Sequence, residues 1–358
     1  MKMFNRLFLF VIYGLLGFFA LSFYTSSVDA KRRRHRRHRR RTHRRVPSKN
    51  QHRLISVFHI APKQMSISMY GKEVWGSELY ESRITIIDAQ KLTTKKVIRI
   101  ANHGTPVEIV HTTDGKEVWV SILNRRRVEI YDAKTYRLLR RIPVGREPKG
   151  IAFSPNGKWV IVSNWKGHSI TVIDRKHYKR VRDVRVSAVP RGVIFTKDSR
   201  EAWVASFVKN RVDILSVPSF RRIAQIRGLP RNPRHFALTR DGKTMYLTTN
   251  AGGRLLVINV KSRKVLRKIR TGRGQRSIKL SPDERYAYVA NYYSHNVSVI
   301  RLPSMKIIET IPADRMCIAM VLTPDGKRLF VSNYNMYRVM VFRTPHHIWT
   351  RPQKGGLH

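Results

Sequence analysis

The sequence predicts an all-β chain folded as a seven-bladed β-propeller of four-stranded antiparallel blades. Three observations predict it: a turn that returns seven times at near-constant spacing, a four-strand pattern between successive turns, and 42% hydrophobic residues, enough to build a core. The turn reads Tyr70-Gly71-Lys72, Asp114-Gly115-Lys116, Asn156-Gly157-Lys158, Asp198-Ser199-Arg200, Asp241-Gly242-Lys243, Asp283-Glu284-Arg285 and Asp325-Gly326-Lys327. Its glycine-equivalent positions, 71, 115, 157, 199, 242, 284 and 326, lie 42 to 44 residues apart. Four short strands in a repeat of that length are the mark of a propeller blade.

Each element follows from local chemistry. An apolar run such as Gly150-Ile151-Ala152-Phe153 leads into the turn, where Asn-Gly or Asp-Gly supplies the positive φ angles of a tight hairpin. A second strand follows, such as Trp159-Val160-Ile161-Val162, and then an alternating third, such as Ile170-Thr171-Val172-Ile173-Asp174. A basic fourth strand, such as Leu138 to Val144, closes the unit. A blade cannot bury both faces alone, so seven must stack in a ring. After Phe342-Arg343 the chain runs into Thr344-Pro345 and a polar tail, so the last repeat lacks its fourth strand. An unclaimed strand at about 53–60 precedes the first turn. It is expected to complete the last blade, which joins the two chain ends and leaves no open seam.

The motifs Tyr288-Val289-Ala290-Asn291, Leu329-Phe330-Val331-Ser332-Asn333 and Val160-Ile161-Val162-Ser163-Asn164 resemble the Tyr-Val-Thr-Asn (YVTN) repeat. The flanking Ser-Pro-Asn-Gly-Lys turn at 154–158 and the Val-x-Val-Ile-Asp type of strand match it too. That family comprises bacterial seven-bladed β-propellers related to lactonase-like and cytochrome d1-like propellers. The resemblance covers about residues 52–345 and implies the fold. It implies no single activity, because function resides in sites carried on a fold.

Charge bears on partners rather than on fold. The 358 residues hold 72 Lys and Arg against 22 Asp and Glu, a formal net charge of +50. That excludes an acidic solvating chain and argues against a neutral cytosolic metabolic enzyme. Only part of it is a tail effect: from Val46 onward 59 Lys and Arg still face 21 acids. The single cysteine, Cys317, allows neither an intrachain disulfide nor a cysteine zinc site.

The N-terminus reads as an address. Lys2 and Arg6 precede an almost wholly apolar run from Leu7 to Tyr24, and Val28 and Ala30 form a small-residue cleavage pattern. Residues 1–30 are therefore expected to be a signal peptide, giving a periplasmic or secreted protein; the alternative is a membrane anchor through residues 7–24. Residues 31–51 form an Arg/His-rich segment without apolar periodicity, expected to be disordered and able to contact an anionic membrane surface. The propeller is expected over residues 52–345 and a C-terminal tail over 346–358.

Aligned on the turn glycine, the repeats become ring positions. Eight residues before it stand Lys63, Val107, Lys149, Arg191, Arg234, Arg276 and Ile318. This register lies at the start of the innermost strand, so Lys63, Lys149, Arg191, Arg234 and Arg276 are expected to ring the mouth of the central channel. A second register on the same face holds Asn164, Asn291 and Asn333, followed directly by Trp165, Tyr292 and Tyr334. Asn offers a donor and an acceptor, and the aromatics offer flat faces with a polar handle. Together with the cations they would line a cleft for an anionic ligand. The plainer reading is that Asn closes a turn and the aromatics pack blade on blade.

Catalytic candidates are few. Glu108 and His235 share the register seven residues before the glycine, and Glu78 takes the Asn position of the first repeat. Glu108 and His235 fall three blades apart, which argues against acid–base pairing. His111 occupies an otherwise apolar register and is expected in the core. With no phosphate loop, nucleophile elbow, zinc spacing or heme-attachment motif, no cofactor and no metal site are expected. The sequence therefore points to an exported, strongly basic binding or scaffold protein, monomeric, that engages an anionic polymer, an envelope component or a protein partner. Two alternatives stand beside it: a lactonase-like or quinoprotein-like enzyme with its site on the channel face, and a nucleic-acid-binding propeller using charge and base stacking.

Overall fold

A computed structural model describes residues 51–348. The expected signal peptide or anchor, nearly all of the basic segment and most of the C-terminal tail lie outside the described residues. Among those described, no helix is long and apolar enough to cross a membrane.

Seven four-stranded sheets account for almost all the regular structure. Blade 1 comprises Gln64–Ile67, Glu73–Glu78, Arg83–Asp88 and Thr93–Arg99, paired in that order from the inside outward. Blades 2 to 6 repeat this order, and their inner strands begin at Pro106, Pro148, Pro190, Pro233 and Gln275. Proline suits that position because the first residue of an inner strand need not donate to the ladder. Blade 7 takes Cys317–Leu322, Arg328–Asn333 and Arg338–Arg343 from the C-terminal end and Arg53–Phe58 from the N-terminal end. The closing strand pairs antiparallel, Arg53 opposite Arg343 and Phe58 opposite Val339, with a bulge between Leu54 and Ser56. His52 fastens it to blade 6: its Nδ1 meets Glu309 at 2.7 Å and its Nε2 meets the Tyr288 hydroxyl at 3.1 Å.

The repeated turn takes the shape its residues require. Gly157 and Gly242 sit at φ 72° and 74°, and Ser199 and Glu284 hold the same left-handed conformation where glycine is missing. A Ser or Thr before the turn donates to the turn Asp or Asn, as Thr112 does to Asp114 and Ser154 to Asn156, and the same carboxyl or amide oxygen accepts the backbone N–H two residues on. Hydrophobic clusters lie between neighbouring blades, around the fully buried Trp75, Trp119, Trp203, Tyr288 and Phe330. Each of the tryptophans also donates from Nε1 to a glutamate on its own strand, and Glu73 and Glu117 accept again from Tyr136 and Tyr178 of the following blade. Burying one such aromatic removes roughly 150–250 Å² from water, on the order of 4–6 kcal/mol at 25 cal/mol/Å². The C-terminal residues His346–Ile348 form a short turn that buries Ile348 against blades 6 and 7.

Candidate functional site

The inner strands bring the predicted cations into one crowded group. Arg191 and Arg234 are 2% and 4% exposed, and Lys63, Lys149 and Arg276 are partly buried beside them. Two backbone features set this crowding. Gly150 and Gly192 follow Lys149 and Arg191 directly, and a Cβ there would lie 2.5 Å from the Arg191 carbonyl oxygen and 2.1 Å from that of Arg234. The inner strands of blades 3, 4 and 5 approach too closely for any side chain at those points. Serines clasp carbonyls of the cationic register from the preceding blade: Ser121 Oγ donates to Lys149 O and Ser163 Oγ to Arg191 O, both at 2.9 Å. Ser77 does the same for Val107 O at 2.8 Å, and Ser332 reaches Pro62 O. These serines stand one residue before the Asn register. Their recurrence is visible in the repeats, although nothing local says that they reach the next blade.

The two sequence registers also meet. Lys149 Nζ lies 3.7 Å from the Trp165 ring centroid, Arg276 Cζ 4.2 Å from that of Tyr292, and Lys63 Nζ 4.2 Å from that of Tyr334, the last pair joining blades 1 and 7. Three cations from the inner strands are thus held over three aromatics from the loops.

Few acids balance this charge. Arg191 Nη1 meets Glu108 Oε2 at 3.3 Å, from blade 4 to blade 2, passing blade 3 where the equivalent position is Gly150. Glu108 also accepts from Gln64 Nε2 at 3.0 Å. Among the described residues, Lys63, Lys149, Arg234 and Arg276 have no carboxylate partner, and the buried Nε atoms of Arg234 and Arg276 have no hydrogen-bond partner at all. The protonation equilibria record the cost. Burial, then the charges of Arg234, Arg276, Arg191 and Lys149, lower Lys63 to about 6. Burial, then Arg191 and Arg234, lower Lys149 to about 7. Arg234 and Arg276 are depressed first by burial as well. Lys279, further along the blade 6 inner strand, is enclosed by protein yet keeps open surface, so it lines a water-accessible part of the channel.

The catalytic candidates are placed apart. Glu78 is buried and bonded to Arg83 at 2.9 Å, to Thr85 and to the Ala61 N–H. His235 lines the channel; burial, then Arg191, Arg234, Lys279 and Arg276, hold its imidazole well below its usual range and therefore neutral. His111 lies in the core as expected, its Nδ1 2.8 Å from Ser66 Oγ and its ring edge-on to Trp75.

The Asn register works as a clamp on its own loop. Asn164 Nδ2 donates to Ser169 and Thr171, both at 3.0 Å, and Asn291 Nδ2 donates to Asn296 at 2.8 Å and Ser298 at 2.9 Å. Glu78 uses the same two offsets, five and seven residues on, to reach Arg83 and Thr85. Asn333 is buried and donates to Val331 O at 3.4 Å. On the opposite, turn-bearing face, a groove of about 770 Å³ opens between blades 4 and 5, lined by Lys197, Lys243 and Lys261. Arg263 meets Glu201 there at 2.5 Å, in the place that tyrosines take between other blades.

Comparison with known proteins supports the architecture. The Cytochrome D1 heme domain family matches residues 58–157 and 209–335, which hold four of the five mouth cations and leave out Arg191. A solved structure of hydrazine synthase from Kuenenia stuttgartiensis is similar at 20% identity with a TM-score of 0.71, over 79% of this chain and 96% of that one. No curated protein matched.

Proposed function

The chain belongs to the cytochrome D1 heme domain family, and from that premise we propose that it is an anion-binding propeller whose site is the cationic mouth of the central channel. One observation carries this reading: five lysine and arginine side chains converge on one opening where a single carboxylate, Glu108, pairs with one of them. Buried charges are stable only when paired and hydrogen-bonded, so the ring is complete only with an anion in it.

The family name raises the question of a tetrapyrrole, and the donor set answers in two parts. Arg191, Arg234, Arg276 and Lys63 suit its carboxylates. Its iron would need an axial donor. His111 Nδ1 meets Ser66 and its buried Nε2 has no partner, but it stands at the turn end of the blade 2 inner strand, packed on Trp75 and away from the mouth cations, and the field of four cations around His235 opposes a metal ion there. Cys317 is buried, and burial pushes its thiol up to about 12. None of these three side chains is placed to hold an iron at the mouth, and the reading rests on the acid groups that the cations would bind.

Calorimetric titration of inorganic phosphate and citrate at low salt, into the wild type and an Arg234→Met/Arg276→Met variant, tests this. Binding that weakens with salt and is lost in the variant is expected. Equal affinity in the two proteins rejects the mouth as the site.

A further inference from the structure

Beside the cations, the mouth carries tyrosines from the loops of blades 6, 7 and 1. Tyr80 and Tyr334 stack, with centroids 5.2 Å apart and planes at 24°. Tyr292 and Tyr293 meet edge to face at 5.0 Å. The hydroxyls of Tyr80, Tyr292 and Tyr337 all act on that of Tyr334, so the rings form one group. The inner members of the group, Tyr334 and Tyr292, lie under Lys63 and Arg276. The outer members are open: Tyr80 is 63% exposed and Tyr293 50%. On blade 5 the same loop reads Ala251-Gly252-Gly253, so this arc belongs to one side of the mouth.

We propose that the cation ring and this tyrosine arc form a single two-part site for a phosphate monoester whose attached ring lies flat on Tyr80 or Tyr293. The inference rests on the anion reading above and names its ligand class. A phosphate monoester brings close to two negative charges and three acceptor oxygens on one atom, which suits guanidinium and ammonium donors converging on one opening better than a lone carboxylate does. A ring carried by the phosphate meets the arc when it leaves the mouth on the side of blades 6, 7 and 1. Exposed aromatic faces gathered beside a charged site hold sugar rings and bases alike, and one stacked base contributes about 1–3 kcal/mol.

The experiment titrates the full chain with inorganic phosphate, a hexose phosphate, a nucleoside monophosphate and the nucleoside without phosphate. The same series is run on a Tyr80→Ala/Tyr293→Ala variant, both positions being at least half exposed, with its folding checked by calorimetric unfolding. At least about tenfold tighter binding of a ring-bearing monoester than of inorganic phosphate is expected, with that gain over inorganic phosphate lost in the variant. The tighter of the hexose and nucleoside arms identifies the ring. No gain over inorganic phosphate, or a gain that survives in the variant, overturns the two-part site and leaves the anion reading intact. Failure of inorganic phosphate and both monoesters to bind removes both.

Discussion

The two faces of the propeller treat charge in opposite ways. On the turn face, carboxylates are used where they stand: Asp114, Asp198, Asp241, Asp283 and Asp325 each accept from a Ser or Thr two residues before and from the backbone N–H two residues after. At the channel mouth, cations come from five different blades and only Arg191 has a carboxylate. The first arrangement holds a hairpin through contacts within each repeat, with Asp114 also reaching Arg175 of the next blade. The second is open, because its members are neighbours only around the ring. A charge set that its own repeat satisfies is structural; one that ring closure assembles and leaves unpaired is where a ligand belongs.

The largest effect should come from emptying the open set. Arg234→Met/Arg276→Met should weaken anion binding about a hundredfold or more, since charge-assisted hydrogen bonds contribute roughly 1.5–3 kcal/mol each. The same change should stabilise the free protein, because replacing crowded buried ions by apolar groups of similar size is often stabilising by about 1–4 kcal/mol. Calorimetric unfolding checks this; a lower midpoint in the double variant would mean that the arginines hold the fold.

Proton linkage gives the next effect. In the free protein Lys63 titrates at about 6 and Lys149 at about 7, below the ordinary lysine value of 10.5. A bound anion favours their charged forms. Anion affinity should therefore fall as pH rises from about 6 towards 10, by up to roughly tenfold per pH unit per lysine. The stability of the free protein should move the other way. Between the folded and unfolded pKa values the unfolded chain binds more protons, so these lysines destabilise the fold most at low pH and least above 10.5. Affinity independent of pH over this window would show that neither lysine takes part.

Smaller effects should mark the closed sets. Asn291→Ala removes a buried amide bonded to Asn296, Ser298 and Thr271 and should cost about 1–3 kcal/mol of stability. Anion affinity should stay within twofold; a larger loss would move the Asn register from loop clamp to ligand. Asp198→Ala should lower the thermal midpoint by roughly 1–3 °C, again with binding intact.

The repeat grammar made most of the fold legible, down to the closing strand, because a missing fourth strand at one end and a spare strand at the other are both plain in the sequence. The cationic register was legible for the same reason. The stacking of Lys63 on Tyr334 was not, since those residues stand at opposite ends of the chain and meet only where blade 7 closes on blade 1. Glu108 gave no sign of bonding to Arg191, because that contact depends on Gly150 leaving the intervening position empty. Tyr80 and Tyr293 share the register nine residues after the turn glycine, but the other repeats carry Asn124, Lys166, Val208, Ala251 and Asn335 there, so the register alone did not mark an aromatic arc.

The sequence by itself determined the ring: its turns, strand order and blade number follow from residues within one repeat of each other, where hairpin chemistry and alternation act locally, and its closure from a strand missing after the last turn and one spare before the first. Only the tertiary structure decided which charges remain open. Whether a lysine or arginine finds a carboxylate depends on what the neighbouring blades present across the channel, and that is set by how closely glycines and serines let the inner strands approach.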